Sequence, residues 1–109
     1  MGASYVPESG DIVWLHFSPQ AGHEQAGHRP ALVLSPAIYN KKRGMMICCP
    51  MTSKIKGYPF EVIIGHESAV LSDQVKSLDW RARKAKHKGS VSPAELQAVR
   101  AKIKVLLGL

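Results

Sequence analysis

The 109-residue chain is short of cysteine, of acidic charge and of long apolar runs, and each shortage closes a class of explanation. Its two cysteines, Cys48 and Cys49, are adjacent. Neighbours on a strand point to opposite faces, so a bond between them needs a distorted backbone. Reduced thiols and a cytoplasmic protein are therefore the expectation. There is no CxxC pair, and His16, His23, His28, His66 and His87 are too scattered for a zinc site, so neither a metal nor another cofactor is expected. No apolar run is long enough to cross a bilayer, and the first residues lack a secretory pattern. Gly2 is present, but position 6 holds Val6, so the myristoylation pattern fails and no membrane association is expected. Gly-rich phosphate loops and the short motifs that name a hydrolase are missing as well.

What the chain does have is basic charge. Fifteen Lys and Arg against eight Asp and Glu give a net charge of +7. In one small domain, taken as residues 1–109, that excess makes a field that favours a polyanion or an acidic protein. A basic surface kept for solubility is the plainer explanation. Hydrophobic residues make up 45% of the chain, enough for a folded core.

The apolar pattern is mostly of period two. IVWLHF (12–17) has large apolar groups on both faces and predicts a strand covered on both sides. SPQAGHEQAGHRP, with two glycines and two prolines, predicts a loop longer than a hairpin needs. ALVLSP (31–36) is the next strand. YNKKRGM reads as a turn, with Asn40 and Gly44 as candidates for positive φ. MMICCPM reads as a strand interrupted at Pro50, TSKIKGYP as a loop, and FEVIIG, AVLS and QVKSLDW as further strands. The period then changes. Ser92-Pro93-Ala94-Glu95 is a capping box, Leu96, Val99, Ile103 and Leu106 follow at helical spacing, and Gly108 is placed to stop the helix. The expected fold is mainly β with a C-terminal α-helix, a small, strongly curved antiparallel barrel. Such a barrel leaves edge or apolar surface to cover, and a homodimer is the commonest cover.

Polar chemistry gathers in four stretches. In GHRPALVLSP the proline pushes Arg29 to extended geometry where a loop enters a strand. A guanidinium held there offers a fixed fork of donors that suits a phosphate gaining charge, or it simply pairs with a carboxylate such as Glu24. In PMTSKIKGYP, Thr52 either donates to a phosphate oxygen or satisfies a turn. Lys54 and Lys56 alternate, so in extended form both point one way and track a phosphate backbone; two solvated surface lysines fit equally. In SDQVK, Asp73 and Gln74 have the chemistry to read base edges, and a turn carboxylate with a surface amide explains them as well. In DWRARKAKHKGS a run of cations follows Trp80, which either stacks on a base or belongs to the core.

The strings GDIVWLHF, EQAGHRPALVLSP, YNKKRGM, KGYPFEV and DQVKSLDWRAR resemble the PemK/MazF family of toxins from bacterial type II toxin–antitoxin modules. The likeness runs from Tyr5-Val6-Pro7 to the final helix, with GHESAVLSDQ a few residues shorter than in the family. The resemblance implies an SH3-like barrel working as a homodimer. It implies a sequence-specific, ribosome-independent endoribonuclease that cuts single-stranded mRNA. It also implies a cognate acidic antitoxin whose disordered tail wraps the toxin and fills the RNA groove. The family's catalytic arginine and threonine match Arg29 and Thr52, and a glutamate that matters for activity matches Glu24. RNA contacts are then expected from Trp14, Gln25, His28, Lys54, Lys56, Asp73, Gln74 and Lys76.

Read chemically, such an enzyme uses the ribose 2′-OH as nucleophile, with Arg29 on the phosphorane, Thr52 on a non-bridging oxygen, and His28 or Glu24 as base. Two rivals remain at this level. One is a toxin of the same barrel class that acts by binding a protein, as gyrase-poisoning relatives do. The other is a non-catalytic RNA-binding module served by Trp14, Trp80 and the basic run.

Overall fold

Alternate residues of the first strand, β1 (Asp11–His16), feed two separate cores. Val13 and Leu15, with Phe17 just beyond the strand, enter one; Ile12 enters the other. The computed structural model describes residues 5–17 and 27–109. After β1 come β2 (His28–Val33), helix α1 (Ala37–Arg43), β3 (Met45–Thr52), β4 (Glu61–Ile64), β5 (Ser68–Leu71), β6 (Lys76–Asp79), β7 (Lys86–Ser90) and helix α2 (Pro93–Leu106). The strands pair antiparallel in the order β4-β5-β3-β2-β1-β7, with β6 added to β3. The sheet curls into a half-barrel, and α2 packs Leu96, Val99 and Ile103 on the core of Ile12, Leu32, Cys49 and Met51.

The strand β3 is the hinge of this arrangement. One edge pairs with β2 through Ala31–Pro50, Leu32–Cys49 and Val33–Cys48. Its other edge pairs with β6 from Met45 to Cys48 and with β5 at Met51 and Thr52. Pro50, expected to interrupt the strand, lies inside it. The residue without an N–H sits where that edge changes partner, so continuity is kept. Cys48 and Cys49 project into different cores, both as free thiols. Burial pushes both thiols up to about 12, so they stay protonated and unreactive.

Two other expectations are corrected. YNKKRGM is not a turn: it forms most of α1, entered at Pro36 and closed by Gly44 at φ +68°. Asn40 therefore has a helical backbone, and the left-handed position falls on Gly44. The side chain of Asn40 is fully buried and joins four segments. Its Oδ1 accepts from the Ser35 hydroxyl (2.6 Å), and its Nδ2 donates to the carbonyls of Pro7 (2.8 Å) and Ser35 (3.0 Å). Its own carbonyl accepts from the Trp80 indole at 2.9 Å. Trp80, 6% exposed and covered by the Arg81 guanidinium 4.5 Å from its ring, is core and is not presented for base stacking. The second is that the stretch DWRARKAKHKGS, read only as a run of cations, ends in a strand, β7. KHKGS has no apolar side chain to announce a strand, and it becomes one by pairing with β1.

Helix α2 begins as the capping box predicts. Glu95 N–H donates to the Ser92 hydroxyl (3.1 Å), and Ser92 N–H donates to the Glu95 carboxylate (2.8 Å). The other oxygen of Glu95 takes the Gly65 amide at 3.0 Å, tying the helix to the turn after β4. Gly108, at φ +72°, follows its C-cap at Leu107. Leu106, expected on the buried stripe, is 49% exposed.

Two outcomes follow. Asn40→Ala strands buried carbonyls and the Ser35 hydroxyl, and should cost about 2–4 kcal/mol by denaturant unfolding, with little loss on the conservative control Tyr39→Phe. The amides of Ser92 and Gly65 hold the Glu95 carboxyl below its ordinary value of 4.5. The folded state therefore favours the carboxylate, and its contribution is complete above 4.5 and lost as pH falls through the lowered value. Thermal melts between about pH 3 and pH 6 should show a shallow acid-side decline that is reduced in Glu95→Gln.

Candidate active-site cleft

The β2–β3 register decides what faces what. Ala31 stands opposite Pro50. Side chains repeat every second residue, so continuing the same register two positions outward sets Arg29 across from Thr52 on one face of the sheet. That face is the one carrying Val13, Leu15, Ala31, Val33 and Cys48, so the pair lies at the rim of a packed core. Arg29 is half-buried, against Leu15 of β1, and Thr52 is 9% exposed.

Both residues line a cleft of about 360 Å³, together with Lys54, Lys56, Tyr58, Phe60, Glu61, Leu71 and Gln74. Thr52 Oγ1 accepts the Lys54 amide at 3.0 Å, which fixes the hydroxyl oxygen and leaves its hydrogen to donate. Among the described residues the one ion pair is His87 with Asp11, at 3.9 Å, so the ammonium groups of Lys54 and Lys56 are not neutralised by a carboxylate there. Among the described residues, the one carboxylate in the lining, Glu61, is engaged elsewhere: it accepts the amides of Lys56 (3.1 Å), Gly57 (2.8 Å) and Tyr58 (3.3 Å). Gly57 takes φ +79° to turn those amides inward. Cationic donors thus converge on an open groove, with one hydroxyl beside them. Such a groove has the chemistry to hold an anion such as a phosphate.

Of the residues singled out from sequence, the structure brings together Arg29, Thr52, Lys54, Lys56 and Gln74. Asp73 and Lys76 flank Gln74 but do not line the cleft; Lys76 Nζ sits 5.8 Å from the Phe17 ring centroid. Glu24 and Gln25 lie outside the described residues. Trp14 and His28 occupy the opposite face of the sheet. His28 pairs with His16 and Trp14 with Pro30, out of phase with Arg29. The Trp14 and His28 rings stack at 5.2 Å, His16 lies 4.7 Å from His28, and Lys88 Nζ is 5.3 Å from the Trp14 ring. Sequence reasoning passed over Tyr58, Phe60, Glu61 and Leu71 as site residues. Their signal was the string KGYPFE, where two aromatics flank a proline and an acid follows a tight turn.

The fold and the cleft are those of a bacterial toxin. Residues 8–107 match the family of PemK-like, MazF-like toxins of type II toxin–antitoxin systems, and the chain belongs to that family. It is 55% identical over 111 aligned residues to the endoribonuclease toxin MazF of Escherichia coli strain K12, covering 99% of this chain and all of that protein. The crystal structure of MazF from Deinococcus radiodurans superposes with a TM-score of 0.92 at 53% identity, covering 97% of this chain and 100% of the other. A MazE–MazF crystal structure from the same organism superposes with a TM-score of 0.88 at 52% identity, over 97% and 99% of the two chains.

The Glu61 clamp makes its own forecast. Glu61→Ala should speed hydrogen exchange at the Lys56, Gly57 and Tyr58 amides and cost about 1–2 kcal/mol of stability. Glu61→Gln, which keeps one acceptor oxygen, should retain part of the protection. Unchanged exchange in Glu61→Ala would show that the loop is held by other contacts.

Proposed function

We propose that this chain is the toxin of a type II module: a sequence-specific, ribosome-independent endoribonuclease that cuts single-stranded mRNA without a metal ion and works as a homodimer. The observation that carries this reading is that Arg29 and Thr52, at the ends of two paired strands, line one cleft with Lys54 and Lys56. The relatives named as endoribonuclease toxins support it.

The reaction follows from what RNA brings. The ribose 2′-oxygen attacks the adjacent phosphorus, the bond from phosphorus to the 5′-oxygen breaks, and a 2′,3′-cyclic phosphate and a 5′-hydroxyl result. The nucleophile is already tethered to the substrate, so no metal-bound water has to be generated. Arg29 offsets the charge that grows on the non-bridging oxygens, and the Thr52 hydroxyl donates to one of them. The proton leaving the 2′-OH needs a base, and the departing 5′-oxygen needs a proton; the reading gives the second role to Arg29. Of the two candidate bases, His28 is stacked on Trp14 on the other face, so the reading gives the first role to Glu24.

An antitoxin partner belongs to the same reading. A MazE–MazF complex is among the structures this chain resembles. A disordered, acidic antitoxin tail would meet the cations of the cleft and displace RNA from it. The rival in which the toxin only binds, as a gyrase poison or an RNA-binding module does, gives no reason for an arginine fork opposite a hydroxyl.

Purified protein incubated with matched RNA and DNA oligomers is the decisive measurement. RNA should be cut to 5′-hydroxyl ends and DNA left intact, because DNA lacks the nucleophile. Arg29→Ala and Thr52→Val should each lose on the order of a hundredfold in kcat. Glu24→Gln should lose more than His28→Gln. Log affinity should fall with log salt by about 0.7 per neutralised phosphate, with a shallower slope in Lys54→Ala/Lys56→Ala. Cleavage of DNA, or full activity in Arg29→Ala, would sink the mechanism.

A further inference from the structure

The loop between β3 and β4 carries an aromatic pair that the reaction above does not use. Tyr58 is 49% exposed, yet its ring lies 5.2 Å from that of Phe60 with only 21° between the planes. The core does not require this. Tyr58 belongs to neither buried cluster, and an exposed ring on a polar loop is ordinarily free to turn. Here the backbone beneath it is fixed twice. The Tyr58 amide donates to the Glu61 carboxylate, and its carbonyl accepts the Glu61 amide at 3.0 Å, closing a turn around Pro59. Phe60 stacks against one side of the phenol ring, and half of the residue remains exposed. Both rings line the cleft that holds Arg29, Thr52, Lys54, Lys56 and Gln74.

A preorganised flat surface beside phosphate-binding cations matches the two needs of an unpaired nucleotide, whose base must be placed as well as its phosphate. An acidic peptide would use the lysines but has no use for a held planar face. Resting on the endoribonuclease reading, we propose that Tyr58, backed by Phe60, is the stacking platform for a nucleobase adjoining the phosphate held at Arg29 and Thr52. The platform orders the substrate strand and does no chemistry. Because every base has a π face, it sets affinity and strand placement more than sequence choice.

The test compares Tyr58→Ala, Tyr58→Leu, Tyr58→Phe and Tyr58→Trp on an RNA whose cut site has been mapped. Loss of the plane in Tyr58→Ala and Tyr58→Leu should raise KM about tenfold while kcat stays within about threefold. Tyr58→Phe and Tyr58→Trp should stay near the unmodified protein. A second readout uses the same RNA with one 2′-deoxy nucleotide at the cut site, to block cleavage, and 2-aminopurine at a flanking position. Its fluorescence should be quenched on binding the unmodified protein, and the quench should vanish with Tyr58→Ala and Tyr58→Leu. Recovery of KM by leucine would mean that bulk and not stacking matters, and would overturn the platform. So would unchanged KM and quench in Tyr58→Ala, with cleavage by the unmodified protein intact. If the unmodified protein cuts no RNA, the underlying reading fails first, and the platform falls with it.

Discussion

The antiparallel register between β2 and β3 is the constraint on which the site depends. It is set by packing, not by the site itself. Leu32 and Cys49 must enter the core under α2 while Ala31, Val33 and Cys48 enter the other, and a slip of one residue would exchange the two sets. Each of those residues is fully buried, so such a slip would expose or overcrowd every one of them. Arg29 and Thr52 ride on that register two positions beyond its last packed pair. Their place at one cleft is therefore set by packed residues that do not line it.

A second constraint is the polar hub at Asn40. Its side chain joins the segment before β1, the end of β2 and the first turn of α1, and its carbonyl anchors Trp80. The hub closes the end of the first core away from the cleft. Buried amides are costly when half satisfied and specific when complete, so one asparagine holds several irregular segments in a single arrangement. Glu61 acts in the same way at the other end. By accepting backbone amides it stiffens the loop beside Thr52, and it does so without neutralising Lys54 or Lys56.

How far the sequence could be read depends on where the information sits. Where side-chain period and burial agree, as along IVWLHF and in the capping box of α2, the elements are legible. Arg29, Thr52, Lys54, Lys56 and Gln74 stand in polar stretches that the sequence singles out, yet each has an ordinary reading too; the family resemblance groups them as one expected site, and the fold brings them to one cleft. Elements that depend on tertiary contacts are not legible. The strand KHKGS has no pattern of its own and exists because β1 offers an edge. Helix α1 is only 7 residues long and is held by the burial of Asn40, which no local period reveals. Pro50 misleads because the cost of proline in a strand depends on what lies along that edge, and here the partner changes there. The separation of Trp14 and His28 from the cleft follows from parity: His28 and Arg29 are neighbours, so a strand must send them to opposite faces.

That parity also gives one small domain two chemically distinct surfaces. Residues 28 and 29 sit together in sequence yet supply two surfaces, a stacked Trp14–His28–His16 face with Lys88 on one side and the cationic cleft on the other. The cleft gathers Arg29, Thr52, Lys54 and Lys56 on one side. The aromatic face is broad and follows the β1–β7 edge, where Lys86 pairs with Trp14. A polyanion that engaged both would have to pass from one face of the sheet to the other. On the endoribonuclease reading, an extended, unpaired strand makes such a turn more readily than a duplex, which is stiff over many base pairs.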